Sequence, residues 1–245
     1  MRTPKRANIE NLTNLWQRMG AVRQHLGGDA RLHISAAWPH RRWLDWDVRL
    51  TEPQVDALCS TLQHDRSAVV PVWSGEDDLL PRGLRRAGFE PTFTQIAMRR
   101  PRRLPLQGGP GDLVLVDVTA ESLVKTWTRT ASVSFGYAID MSVVQGLVGT
   151  PGLDMFVAMH RGETVGTALL FEDAGALGVH MVGVHPLHRR RGLGRKIMFG
   201  LLRRARDARV DDVVLHSSEM GEPLYNSMDF ERQFPYSNFS IPLGR

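Results

Sequence analysis

From Leu113 onward the apolar residues follow two periods. Leu113–Val118, Met155–His160, Thr164–Phe171, Leu177–Val184, Val210–His216 and Phe234–Ile241 are runs of strand length, rich in β-branched and aromatic side chains. Between them, Leu123, Trp127, Thr130 and Ala131 fall on one helical face after Thr119–Ser122, a segment with the order of a capping box. Met141–Val148 predicts a second short helix. Ile197, Met198, Leu201, Leu202, Ala205 and Ala208 form the buried stripe of a third, with Arg195, Arg203, Arg204, Arg206 and Arg209 mostly outside it. A last helix is expected near Gly221–Met228. Arg161, Gly162 and Glu163 turn two of the strands into a hairpin. The predicted order is strand, two helices, three-strand meander, helix, strand, helix, strand. Such an order describes an α/β (α+β) fold on a mixed sheet.

The first hundred residues are less regular. Asn8 to His25 reads as a helix closed by Gly27 and Gly28, followed by strands at Arg31–Trp38 and Trp43–Leu50. Thr51 caps an expected helix carrying Val55, Leu58 and Leu62. A strand at Ala68–Trp73, a helix at Asp77–Ala87 and a strand at Thr92–Arg99 complete the half. Pro101 to Gly111 holds three prolines and three glycines and reads as a linker, with a boundary near residue 107. The halves, 1–106 and 107–245, therefore read as separate domains.

Composition narrows the function classes. With 42% hydrophobic and 23% charged residues, the chain of 245 residues is long enough for a core in each half. Its single cysteine, Cys59, rules out an internal disulfide and a cysteine-rich metal cluster, and a reducing, cytoplasmic setting is expected. The first residues are charged and polar, and no stretch has membrane-spanning length, so neither a leader nor a membrane partner is expected. The net charge of +5 is uneven: 17 Lys/Arg face 11 Asp/Glu up to residue 105, and 14 face 15 beyond it. Those early arginines are scattered rather than gathered on a helix face, which argues against a nucleic-acid partner.

Chemistry concentrates between the strand ending at Val184 and the helix beginning near Leu193. Pro186 stops the strand, and Arg189, Arg190, Arg191, Gly192, Leu193, Gly194 and Arg195 form a basic, glycine-bearing loop at a helix start. The first N–H groups of a helix have no internal partner and carry the positive end of its dipole. Glycines let several N–H groups converge on a phosphate. The loop lacks the Gly-Lys-Ser/Thr of a P-loop, and Ile197 stands where a dinucleotide fingerprint needs Gly or Ala. Taken alone, Arg-x-x-Gly-x-Gly is equally a basic turn into an amphipathic helix.

Arg189, Gly192 and Gly194, preceded by Val184, His185 and Pro186, resemble the signature loop of the GNAT superfamily of N-acetyltransferases. The resemblance covers residues 112–242 and implies a GNAT fold in the second half. It implies acetyl-CoA as cosubstrate, its pyrophosphate on Arg189–Arg195, and no metal. The backbone of Val182, Gly183 and Val184 is then expected to part from its neighbouring strand and pair with pantetheine. The first half, whose helix ends in Gly88 and Phe89 before its closing strand, resembles a degenerate GNAT-like repeat. It has Arg49 to Pro53 where the glycine loop would stand.

Leu224, Tyr225 and Phe230 resemble the family's Leu-Tyr-x-x-x-Gly-Phe, in which the tyrosine protonates the departing thiolate. Asp229 replaces the glycine, and Ser218 stands where many members have an asparagine that contacts the pantetheine arm. His180, four residues before Val184, occupies a place that holds a catalytic histidine in some members; it reads equally as a hydrogen-bonded strand histidine. Glu172, His185 and His216 are reserve bases, and many members remove the proton through ordered water. Trp38, Trp43 and Trp46 are candidates for an aromatic pocket, with core packing the default. The resemblance implies direct acetyl transfer to a primary amine of a small molecule or peptide N-terminus, and it admits a homodimer. The alternative is a non-catalytic CoA-binding regulatory module.

Overall fold

A computed structural model gives the fold over residues 3–73 and 78–242. Helix α1 (Pro4–Arg18) is followed by β1 (Val22–His25), β2 (Arg31–Ile34), β3 (Arg42–Leu44), α2 (Glu52–Leu62), β4 (Val70–Val72), α3 (Leu79–Arg86) and β5 (Glu90–Pro101). After the linker come β6 (Leu113–Asp117), α4 (Glu121–Phe135), α5 (Met141–Leu147), β7 (Leu153–His160), β8 (Glu163–Asp173) and β9 (Ala176–Val184). The chain closes with α6 (Leu193–Arg204), β10 (Asp212–Ser218), α7 (Glu222–Asn226) and β11 (Glu231–Ser240).

The second half adopts the expected order. Period-two alternation sends Met155, Val157, Leu169 and Phe171 to one face of the sheet, against α1, α4 and α5. Phe156, Ala158, Ala168 and Leu170 go to the other face, against α6. Helix α6 buries Leu193, Ile197, Met198, Phe199, Leu201 and Leu202. At roughly 1.5–3 kcal/mol per buried side chain, this stripe anchors the helix start firmly beside the sheet. Two details differ from expectation. Ala120, not a hydroxyl residue, is the N-cap of α4, so the capping box does not form. Helix α6 tightens into a 3-10 turn at Ala205–Asp207, which leaves Ala208 beyond it.

The first half departs further. Its first helix ends at Arg18 because Gly20 turns with φ 92°, and Val22–His25 becomes an exposed edge strand instead of the last helical turn. The strands expected at Arg31–Trp38 and Trp43–Leu50 shorten to β2 and β3, with the chain between them closed by Ser35 N–H donating to Arg41 O at 2.8 Å. Strand β5 is longer than expected. Helix α3 begins at Leu79; the expected start at Asp77 lies outside the described residues.

Strands β1, β2 and β3 form a small antiparallel sheet, and the large sheet has the order β4-β11-β5-β10-β9-β8-β7-β6. Two strands from before residue 107 therefore belong to the same sheet as the second half. Strand β5 lies between β10 and β11, and β4 pairs with β11. The chain runs strand-helix-strand-helix-strand twice, as β3-α2-β4-α3-β5 and as β9-α6-β10-α7-β11. In each run the closing strand leaves its own half: β5 pairs with β10, and β11 pairs with β4. The linker at 101–111 thus marks a composition change without freeing one half from the other. Buried Arg100 ties it down, donating to Met228 O, Pro101 O, Leu104 O and Pro105 O.

Candidate functional site

Strands β9 and β10 pair in parallel only from Leu177 to Val179, opposite Val213 to Leu215. Beyond Val179 they part, and β10 turns its other edge to β5 as far as Ser218 opposite Gln95. The parting has a local cause. Met181 takes φ 51°, and the register against β8 shifts between Thr167/Gly183 and Leu169/His180, which is a bulge. Thr167 Oγ1 donates to Met181 O at 3.0 Å and holds it. Gly183 passes so close to α4 that an added Cβ would lie 2.8 Å from Ser134 Cβ. A cleft of about 940 Å³ fills the gap, walled on the apolar side by Leu12, Trp16, Trp38 and Phe135 and bordered by Tyr225 and the glycine loop.

At its outer end, Arg190 and Gly192 adopt left-handed φ values of 61° and 73° and turn the chain into α6. Lys196 N–H donates to Gly192 O, the first bond of the helix. The N–H groups of Leu193, Gly194 and Arg195 precede any intrahelical acceptor. An anion with several oxygens fits that cradle. The arginines divide into two kinds. Arg189 is a brace: Nε donates to Val184 O at 3.2 Å and Nη2 to Ser134 O at 2.7 Å, tying loop, strand and α4 together. Arg195 likewise holds Ser227, through Nη1 to Oγ at 2.6 Å and Nη2 to the carbonyl at 3.2 Å. Arg190 and Arg191 are exposed and have no acidic partner among the described residues. Ser218 ends β10 in the cleft wall, where its Oγ accepts Gly221 N–H at 3.2 Å. Ser134 Oγ, in the opposite wall, is buried without a partner among the described residues.

Tyr225 sits on α7 with its ring edge-on to Phe230 at 5.9 Å, and Asp229 takes a left-handed φ of 63°. Burial pushes the Tyr225 phenol up to about 12, so it remains a donor. Its hydroxyl has no hydrogen-bond partner among the described residues.

His180 and His216 face the point where the strands part. His180 is buried, its Nε2 paired with Asn11 Oδ1 at 2.9 Å. Asn11 also donates to Phe171 O and Ala176 O, which clamps α1 to the hairpin. Burial pulls His180 down to about 3, leaving it neutral and a weak base. His216 is also pulled to about 3, by burial first and His180 second. Neither of its ring nitrogens has a partner at hydrogen-bond geometry among the described residues, although the Asn8 backbone lies near. Of the other reserve bases, Glu172 pairs with Leu177 before the strands part, and His185 Nδ1 accepts Leu187 N–H at 3.4 Å outside the cleft.

The two histidines imply an acid-labile fold. Their folded pKa lies below the ordinary 6.5, so their contribution is fully present above pH 6.5 and is lost as pH falls towards 3. Between pH 7.5 and 5 the expected loss is about 2 kcal/mol per histidine. His216→Phe fits the same aromatic site against Tyr236 and removes two unpaired nitrogens. Urea unfolding should show it at least as stable as the parent at pH 7.5, with the acid-dependent loss halved. An unchanged pH slope would contradict the assignment.

The sequence carried no motif for Trp16, Arg41, Phe93 and Tyr137, which line the cleft, or for Asn11, which holds His180 in its wall. Of the tryptophans singled out, Trp38 lines the cleft, Trp43 is buried against Trp16 and His33, and Trp46 packs on Phe234. No helix among the described residues is long and apolar enough to cross a membrane, and none of them form a metal-ligating cluster of three or more His, Cys, Asp or Glu.

No curated protein sequence matches the chain. Its fold is similar to that of the GCN5-related N-acetyltransferase from Kribbella flavida, with TM-score 0.70 and 17% identity over 97% of this chain and 96% of that one. A GCN5-related N-acetyltransferase from Sphaerobacter thermophilus aligns with TM-score 0.65 and 16% identity over 88% of this chain and 78% of that one. A tandem GNAT protein from the clavulanic acid biosynthesis pathway aligns with TM-score 0.54 and 12% identity over 88% and 79% of the two chains. At these identities the likeness is one of fold. The family model described as an acetyltransferase (GNAT) domain matches residues 131–239, the span that contains β9, the glycine loop, α6 and Tyr225. Residues 131–239 are therefore similar to a GNAT acetyltransferase domain.

Proposed function

We propose that the protein is an acetyl-CoA-dependent N-acetyltransferase that transfers acetyl directly to a primary amine. The observation that carries this reading is the alignment of three features along one cleft: the N–H cradle of Gly192–Arg195, the freed edge of β9, and the unpaired hydroxyl of Tyr225. Acetyl-CoA supplies an activated thioester. The N–H groups of Leu193, Gly194 and Arg195 receive its pyrophosphate, flanked by Arg190 and Arg191, while Arg189 and Arg195 brace the loop. The backbone of Val182–Val184, no longer paired with β10, meets the pantetheine arm, with Ser218 opposite and the unpaired Ser134 hydroxyl beside it.

Tyr225 donates to the sulfur as charge develops there. A thiolate in the same buried place gains basicity as the phenol loses acidity, so the proton can cross. His180 stands at the point of attack as a neutral group fixed by Asn11. At about 3 it binds a proton weakly, so the ammonium proton leaves through water in the cleft. An open acceptor cleft and an unengaged tyrosine favour an enzyme over a non-catalytic CoA-binding module, which needs neither. The first half is proposed as a degenerate GNAT repeat, with the exchange of closing strands in support. Reduced cytoplasm suits the lone, buried Cys59.

A panel of amines assayed for CoA release tests the activity. With an acceptor in hand, Tyr225→Phe should lower turnover by roughly 10²-fold, about 2.7 kcal/mol of barrier, and leave acetyl-CoA affinity nearly unchanged. Turnover at the parent rate would remove Tyr225 from the mechanism. Loss of affinity alone would move its hydroxyl to ground-state binding.

A further inference from the structure

Arg41 is a half-buried cation with no acidic partner among the described residues. Its guanidinium lies between the rings of Trp16 and Phe93, at 5.3 and 5.5 Å. Nη1 donates to Asn238 Oδ1 at 2.8 Å, which is its one hydrogen bond among the described residues. Nε is closed off from water and has no acceptor among the described residues. No Asp or Glu among the described residues pairs with Arg41 or lines the cleft that Arg41 borders. Its neighbour in sequence is treated differently: Arg42 is buried, and it is paired with Asp65 and with Ser35 O. A charge held partly out of water without a counter-charge costs free energy unless something compensates it. Arginine does not escape that cost by losing its proton.

One nitrogen is left for a ligand. With Nη1 engaged by Asn238 and Nε closed off from water, Nη2 is the charged donor still open, and a charge-assisted N–H suits a carboxylate oxygen. Arg41 is also close to the chemistry in the fold. Gln95 Oε1 accepts from Tyr236 Oη and from Asn238 Nδ2, and Tyr236 packs edge-on against His216, where β9 and β10 part. The cleft wall here is aromatic: Trp16, Trp38, Phe93 and Tyr137. A second ammonium on the acceptor would find no counter-charge among the described residues of this wall.

We infer that the acceptor is an amine bearing a carboxylate, which Arg41 receives, with an apolar body of aromatic size among these rings. Amino acids with apolar side chains are the simplest members of that class. The inference rests on the acetyl-transfer reading for the amine, while the carboxylate site stands on Arg41 itself.

Two arms of one experiment separate these dependencies. Calorimetry on the full chain compares 3-phenylpropionate with 3-phenylpropanamide, neither of which can be acetylated. The acid should bind at least tenfold more tightly than the amide. Arg41→Gln should bring the two to parity, and Arg41→Lys, which keeps the charge but not the reach of Nη2, should fall between. Equal binding of acid and amide by the parent overturns the inference without need of a variant. So does an unchanged preference in a folded Arg41→Gln protein. In the second arm, CoA release with phenylalanine should exceed that with phenethylamine by roughly 10²-fold in kcat/KM, and Arg41→Gln should remove the difference mainly through KM. A preference for phenethylamine would overturn the carboxylate assignment and leave acetyl transfer standing. Failure of the chain to bind acetyl-CoA would sink acetyl transfer, and the calorimetric arm would still decide the role of Arg41.

Discussion

Gly194→Asp should lower acetyl-CoA affinity by at least 10³-fold and leave the fold standing. The two effects separate because the position is strained neither in backbone nor in space. The nearest atoms to an added Cβ are Leu224 Cδ2 at 3.4 Å and Val184 Cγ2 at 3.8 Å, both ordinary contacts. An acidic side chain in the first turn also complements the helix dipole, by about 0.3–1 kcal/mol in favour of folding. The same carboxylate occupies the N–H groups meant for phosphate and repels it. Losing two hydrogen bonds to a charged group, at roughly 1.5–3 kcal/mol each, accounts for the predicted factor. Gly192→Asp would be a less direct test, because φ 73° there adds backbone strain to the charge. Parent-like affinity for Gly194→Asp in calorimetry would contradict the loop's assignment.

The second large effect concerns the halves. Residues 107–245 expressed alone should fail to fold, despite containing the glycine loop, Tyr225 and the span matched by the family model. Removing β5 strips β10 of its partner from Asp212 to Ser218 and strips β11 of its longest pairing. Two unpaired strand edges then face solvent in the middle of what had been one sheet. The Arg100 bonds to Met228 O and the linker carbonyls disappear as well, and so does the Asn11 clamp of α1 on the β8–β9 hairpin. The expected result is an aggregating fragment without a cooperative thermal transition. A folded fragment that binds acetyl-CoA with parent affinity would show that the exchanged strands are dispensable.

The second half was legible because its information is local. Met155–His160 and Ile197–Leu202 declare their periods within a few residues, and the loop needs glycine where the backbone turns left-handed, as it does at Gly192. The boundary at 107 was read from composition, which says nothing about pairing. The partners of β5 lie more than a hundred residues away, and no local pattern marks them. Val22–His25 continued a plausible helix until Gly20 is seen to end it. Within the site, His180 was placed on the correct strand, but its burial and its bond to Asn11 depend on how α1 docks. Arg41 was invisible for the same reason: among scattered arginines, only the fold distinguishes the one with no acidic partner among the described residues from Arg42 beside it.

The central claim is one acetyl-CoA site per chain, at the start of α6. The corresponding helix start in the first half is that of α2, and it is closed by its own side chains. Gln54 Oε1 accepts Thr51 N–H at 2.9 Å, and Pro53 in the first turn removes a donor. Calorimetric titration of the full chain with acetyl-CoA should therefore give a stoichiometry of one. Two sites would mean that the first half holds a working cradle, and no binding would contradict the account at its root.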